Sequence, residues 1–298
     1  MAIEQRQGLV QKQTLTRDEI NAIRELAWRC EQAEQLHMRI DWSMLSNRSG
    51  NTTNDFFYYE NNRLVGYLAL NDSSGAENEI MGMVHPAYRR HSIFSLLISA
   101  AFAECRTRGL WHMILVCERR AVSGQAFVRA LDATYSESEH EMWLTEVKER
   151  GPIDDRLTVR PARRSEIDAL VLVQSESFGQ LEERTRRRIE ARMDDPERST
   201  YYIGVFGEPE VGCEEPVGAL RIDIIEDIVG IYAFGIRPEY WGRGYGRQML
   251  EEVIQLLHEQ GYQKIMLDVD VENTRAVHLY TSCGFTVRTT YDYYIIAA

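Results

Sequence analysis

Three glycines fall within five residues, Gly242, Gly244 and Gly246, between an apolar β-prone run ending at Ile236 and a segment carrying Met249, Leu250, Val253, Ile254, Leu256 and Leu257 at helical spacing. The pattern predicts strand, tight turn, helix. Glycine lets the backbone turn with successive N–H groups aimed one way, and the helix start adds unpaired N–H groups and the positive end of its dipole. Such a turn can hold an anion such as a pyrophosphate, and it also serves as a plain connector in many folds. Further on, Leu267, Val269 and Val271 alternate as in a strand, Asn273 is a good helix N-cap, and Gly284 sits where a C-cap glycine belongs. Ala276 and Tyr280, three and seven positions after Asn273, come close to one face of that helix. An amide, a small residue and a phenol along one side could flank a bound group and hand it a proton. The alternative is a capped amphipathic helix with a core tyrosine.

The two stretches together resemble the GNAT acetyltransferase superfamily. Its cofactor loop, Arg/Gln-x-x-Gly-x-Gly/Ala, is matched by Gly244 and Gly246, with Trp241 at the Arg/Gln place. Its second signature, Asn-x-x-Ala-x-x-Leu-Tyr-x-x-x-Gly-Phe, is met by Asn273, Ala276, Leu279, Tyr280, Gly284 and Phe285. The resemblance implies an α/β fold with a mixed sheet (α+β), in which the pantetheine of acetyl-CoA lies in a gap between two central strands. It implies main-chain contacts from Phe234 and Ile236, a pyrophosphate held by Gly242, Arg243, Gly244, Tyr245, Gly246 and Arg247, a further contact from Asn273, and no metal. It also implies direct attack of a primary amine on the thioester, with Tyr280 as general acid toward the departing thiolate. A phenol near 10 giving a proton to a thiol near 8.5 goes uphill by about 2 kcal/mol. The family often places a glutamate six residues before the Ile236 position, which here is Gly230. Asp223, Glu226 and Asp227 are the neighbouring carboxylates, and Glu226 and Asp227 are the candidates for a base. The competing function is a module that binds or senses acyl-CoA without turnover. The acceptor, a small molecule, a peptide N-terminus or a lysine, is not readable. Acidic residues around 182–195 and 223–227 favour a cationic amine.

The chain that must position these residues has 298 of them, which suggests two domains each able to bury a core. A net charge of −12 argues against non-specific nucleic-acid binding, which needs clustered cations. The start, MAIEQRQGLVQKQ, lacks the apolar stretch of a signal peptide, and no run reaches membrane-spanning length. Five cysteines form no C-x-x-C pair, as expected of reduced thiols in a cytoplasmic protein.

The elements repeat. Pro86 and Pro238, Tyr88 and Tyr240, Leu97 and Met249, Gly109 and Gly261, and Leu115 and Leu267 all stand 152 residues apart, which marks an internal duplication. The expected layout is therefore tandem: a first GNAT-like domain over 1–148, a polar linker over 149–156, and an acetyl-CoA-binding domain over 157–298. At the same offset Arg89 stands opposite Trp241, Ser92 opposite Gly244, Phe94 opposite Gly246, Ala121 opposite Asn273, and Val128 opposite Tyr280. The first copy is expected to be degenerate and non-catalytic, with Phe94 crowding the phosphate place. Among local elements, residues 14–45 are expected to be helical behind a Thr16/Glu19 capping box, Asn-Asn-Arg (61–63) to turn a hairpin, and Ser165 with Asp168 to cap a helix.

Overall fold

The capping box at Thr16 is present in the computed structural model, which describes residues 6–71, 78–149, 151–207 and 214–297. The Thr16 hydroxyl accepts the Glu19 N–H, and the Glu19 carboxylate accepts the Thr16 N–H. Helix α1 (Arg17–Glu34) comes next, but it stops well short of residue 45 because Gln35 turns left-handed at φ 55° and closes the last turn onto Glu31. A separate short helix, α2 (Trp42–Ser46), is capped by Asp41. The hairpin between β2 (Asp55–Glu60) and β3 (Arg63–Asn71) turns on Asn61 and Asn62, both at positive φ, as a two-residue turn that matches strand twist requires.

Contacts divide the chain into two units, Met1–Glu139 with Thr289–Ala298, and His140–Arg288. Compared with a tandem split at 148 and 157, residues 140–148 fall with the second unit and 289–298 with the first. In the first unit β1 (Gly8–Lys12), β2, β3 and β4 (Asn78–Val84) pair antiparallel in that order, and β5 (His112–Glu118) joins β4 in parallel. Helix α3 (Ile93–Thr107) and α4 (Val122–Ala130) share a core with Phe56, Leu70, Ile80 and Leu115 on one face; α1 and α2 share another with Phe57, Tyr67 and Met83 on the opposite face. The next strand, β6 (Thr134–Leu144), continues into the second unit.

The second unit repeats this plan. Strands β7 (Leu157–Pro161), β8 (Ser199–Phe206), β9 (Glu215–Ile225) and β10 (Ile228–Ile236) pair antiparallel, and β11 (Lys264–Asp270) joins β10 in parallel, with the end of β6 beyond it. Helices α5 (Ile167–Phe178) and α6 (Glu182–Met193) cover one face, α7 (Tyr245–Glu259) and α8 (Thr274–Ser282) the other. Ser165 does not cap α5: it lies inside a single 3-10 turn, Arg164–Glu166, whose Glu166 carboxylate accepts the Arg163 N–H. Asp168 instead pairs with Arg186 on α6. The last strand, β12 (Phe285–Ala297), starts in this unit, and its residues 291–297 pair antiparallel with β5 in the first. Tyr291 and Tyr293 share a face there, as alternation expects.

Four described cysteines, Cys30, Cys105, Cys117 and Cys283, are buried thiols outside any disulfide. Burial pushes the Cys30 thiol up to about 11 and the Cys117 thiol up to about 12. The thiolate is the reactive form. These four thiols should therefore resist a disulfide reagent at pH 8 in the folded protein and react within seconds in denaturant. Rapid native labelling of any of them, mapped by peptide mass, would contradict this burial.

Candidate active site

The parallel pairing of β10 with β11 runs only from Ile228 against Lys264 to Ile231 against Leu267. Beyond it β10 continues to Ile236 and β11 to Asp270, so the two strands part after the pair of Ile231 and Leu267 while β9 holds the other edge of β10. An extra residue also enters β10 here: the register against β9 slips between Tyr232 and Gly235, and Ala233 is left-handed at φ 49°. The bulge re-aims the side chains beyond it. Tyr232 lies over Gly230 and under Arg221 on the α5 side, whereas Phe234 turns to the α7–α8 side, 6.4 Å from Tyr280 between ring centres. Without the extra residue Phe234 would share the face of Tyr232.

At the end of this edge stands the glycine turn. Gly242 and Gly244 are both left-handed, φ 76° and 86°, and a Cβ at either would meet nothing within 4 Å. Gly244 is the N-cap of α7 and brings no side-chain cap, so the first N–H groups of the helix look into that space. Gly246 closes the floor, its missing Cβ 3.4 Å from Ile236, 3.5 Å from Leu279 and 3.9 Å from Phe234. A strand edge that outruns its parallel partner and leads to a side-chain-free turn on a helix N-terminus fits an extended thioester arm ending in a pyrophosphate.

The expected site residues divide by what their side chains do. The Tyr245 hydroxyl donates to Asp154 and its ring packs on Phe206, so only its main chain faces the turn. The Arg247 guanidinium donates to the Ser282 hydroxyl. Arg243 is exposed over the Tyr240 ring. The Ile236 carbonyl is taken by the Trp241 indole N–H at 2.6 Å, which leaves Phe234 as the better main-chain partner for a pantetheine amide. Arg275 stacks 4.5 Å over that indole, a contact the sequence pattern does not reveal because it joins two turns. Asn273 caps α8 through its Oδ1, so its amide N–H2 is the end left to face a ligand.

Tyr280 sits in the α7–α8 core between Phe234 and Phe285. Burial pushes its phenol up to about 12, and the nearby Cys283 thiol adds to the shift. It is therefore a firmly protonated donor. Glu226 and Asp227 lie at the other end of β10, in an exposed turn where Asp227 is paired with Lys264. Six or seven residues of strand, roughly 20 Å, separate them from Phe234, too far for either to act there as a base. Asp223 is buried but is held by Arg221 and Ser199. Among the described residues no cluster of His, Cys, Asp and Glu could hold a metal ion, and no helix is long and apolar enough to cross a membrane.

The model of the acetyltransferase (GNAT) family matches residues 20–130 and again 167–285. The chain belongs to the GNAT family. It is 28% identical over 233 residues to a mycothiol acetyltransferase of Streptomyces scabiei, covering 74% of this chain and 73% of that one. A mycothiol acetyltransferase of Thermobispora bispora is 26% identical over 300 residues, covering 89% and 92%. A GCN5-related N-acetyltransferase from Sphaerobacter thermophilus superposes with a TM-score of 0.78 at 17% identity over 97% of this chain and 95% of that one. A tandem GNAT protein from the clavulanic acid biosynthesis pathway gives 0.69 at 14% identity over 97% and 98%. The protein is thus a tandem GNAT N-acetyltransferase.

The first GNAT unit departs from its expected degeneration in one respect. Its phosphate-type turn keeps its backbone: Arg90 and Ser92 are left-handed at φ 68° and 59°, as Gly242 and Gly244 are opposite them. Phe94 does not block the gap, because its ring lies over Gly82 and against Phe127. The second unit has the same exchange reversed, with Phe234 on the strand and Gly246 on the helix. A cavity of about 460 Å³ consequently opens between β4 and β5, reached by Arg89, Ser92, Met81 and Tyr291. Other matching places differ: Val128 is buried where Tyr280 stands, and β4 pairs with β3 without a bulge. Ala121 brings no side-chain cap to α4, and Glu34, paired with Arg89, substitutes by accepting the Ser123 N–H as well as its hydroxyl.

Proposed function

We propose that the second unit moves the acetyl group of acetyl-CoA to a primary amine by direct attack, with Tyr280 as the general acid. The observation that carries this is the bulged edge of β10 that outruns β11, running from Phe234 to a left-handed glycine turn on the α7 N-terminus, with Tyr280 beside Phe234. The main chain around Phe234 and the Asn273 amide would hold pantetheine, and the N–H groups of Gly242 to Arg247 the pyrophosphate, with Arg243 adding charge. The amine nitrogen attacks the carbonyl carbon, a C–N bond forms, the C–S bond breaks, the sulfur takes the Tyr280 proton, and the proton the nitrogen sheds as the amide forms passes through solvent to restore the phenol. From about 12 to a thiol near 8.5 that transfer is uphill by about 5 kcal/mol, so the proton must move as the C–S bond breaks and not before. Negative charge growing on sulfur is what draws it.

The names of the relatives make des-acetyl mycothiol one acceptor to test, beside ethanolamine, glucosamine, spermidine and alaninamide. Incubation with acetyl-CoA should release CoA with at least one of these primary amines and none with a tertiary amine. Binding of acetyl-CoA without acetylation of any amine would remove the reading.

A further inference from the structure

Helix α5 brings a line of polar side chains to the sheet where β10 bulges. Ser177 packs on Gly235, whose missing Cβ would stand 2.6 Å from the Ser177 Oγ. One turn earlier on the same face, Gln174 is 0% exposed. On the sheet, Tyr201, Arg221 and Tyr232 form one row across β8, β9 and β10, and Tyr201 belongs to the core that α5 and α6 cover. Helix α6 adds Thr185, also 0% exposed, and the half-buried Arg188 one turn on. The Arg188 guanidinium donates to Gln180 Oε1 at 2.8 Å and, more weakly, to Gln174 Oε1 at 3.4 Å.

These groups can all donate, and they lack an acceptor. Among the described residues, the Gln174 Nε2 and the Ser177, Thr185 and Tyr201 hydroxyls are buried with no hydrogen-bond partner. Each costs stability for as long as nothing accepts from it. No carboxylate among the described residues pairs with Arg188: Asp168 is taken by Arg186, Glu183 by Arg187, and Asp223 by Arg221 and Ser199. Burial holds the Arg188 guanidinium below its ordinary value; Tyr201 opposes that shift, while Arg221, Arg184 and Arg192 add to it. The way in is short. Gln180 is exposed in the connection that follows Phe178, and the Phe178 ring lies 3.4 Å from the Cβ position of Gly235. An anion entering there replaces the neutral Gln180 oxygen on Arg188 by a charged one, and charge-assisted hydrogen bonds are about twice as strong.

We infer that Arg188, with the Gln174 amide and the Thr185 and Tyr201 hydroxyls, receives an anionic group of the acceptor, a carboxylate or a phosphate. The inference rests on the acetyl-transfer reading above. Arg221 stands two residues along β9 from Ala219, the partner of Gly235, which puts the Tyr201 row roughly 7 Å from the bulge. The acceptor class is therefore a primary amine that carries an anion several bonds from its nitrogen.

Matched amines test this: 6-aminohexanoate against 6-aminohexanamide, and glucosamine 6-phosphate against glucosamine. With the wild type, the anionic member of at least one pair should be better by about tenfold or more in kcat/KM. Arg188→Gln should lower kcat/KM for that substrate about 10–100-fold, through KM, and change its neutral partner less than about threefold, with acetyl-CoA affinity unchanged. Thr185→Val removes one unpartnered hydroxyl at near-constant volume. It should raise the melting temperature, and raise KM about threefold to tenfold for the anionic substrate alone. A neutral member equal to or better than its anionic partner in both pairs overturns the inference. So do variants that change both members alike, the result expected if these groups hold only an ordered water. Acetyl transfer stands in either case as long as some amine is acetylated. A wild type that binds acetyl-CoA and acetylates no amine overturns the transfer reading itself, and this inference with it.

Discussion

Tyr280→Phe lowers kcat about 10²–10⁴-fold, the range for loss of a positioned acid, while the protein stays folded and its affinity for acetyl-CoA is nearly unchanged. The substitution removes only a hydroxyl from a ring that the α7–α8 core already holds between Phe234 and Phe285. The hydroxyl matters most when sulfur gains charge, so its loss appears in kcat and little in binding. Because the phenol is raised to about 12, it stays protonated through pH 10, and the wild-type rate should show no falling limb from Tyr280 between pH 7 and 10. The stability linked to this group has the same sign. It is fully present below about 10, the unfolded value, and is lost as pH rises toward 12. A melting temperature within a few degrees of wild type together with wild-type kcat would return Tyr280 to the role of a core residue.

The second large effect is on binding. Gly244→Val should weaken acetyl-CoA about 10–100-fold by calorimetry, with the fold retained. Gly244 lies at φ 86°, where a β-branched residue costs about 1–3 kcal/mol, and the α7 N-terminus must shift to relieve it. The added atoms would also enter the space where a Cβ now meets nothing within 4 Å and where the pyrophosphate is proposed to sit. Ser92 holds φ 59° at the matching place of the first unit, so Gly244→Ser should be much milder than Gly244→Val. Equal affinities across glycine, serine and valine in folded proteins would separate the turn from the cofactor.

Much of this protein is local, and local features are legible in a sequence. The Thr16/Glu19 box, the Asn61–Asn62 turn, the Asn273 cap and the glycine turn are all set by residues within a few positions of one another, which is the range over which side-chain type decides backbone conformation. The duplication and the family were legible for the same reason, since Asn273, Ala276, Leu279, Tyr280, Gly284 and Phe285 lie on one helix and its exit. Features that depend on pairing between distant strands were not. The bulge at Ala233 is a mismatch against β9, invisible without the register, yet it decides that Phe234 faces Tyr280. It also means that Ile80 matches Ile231, one residue off the 152 offset that holds from Pro86 on. Phe94 was expected to fill a cleft, but a ring goes where volume allows, and Gly82 across the cleft allows it. Glu226 and Asp227 are near Ile228 in sequence, but a strand carries Phe234 away from them at about 3.3 Å per residue. The gap itself opens because the parallel pairing stops at Leu267, and where two strands part is decided by the sheet and not by either strand alone.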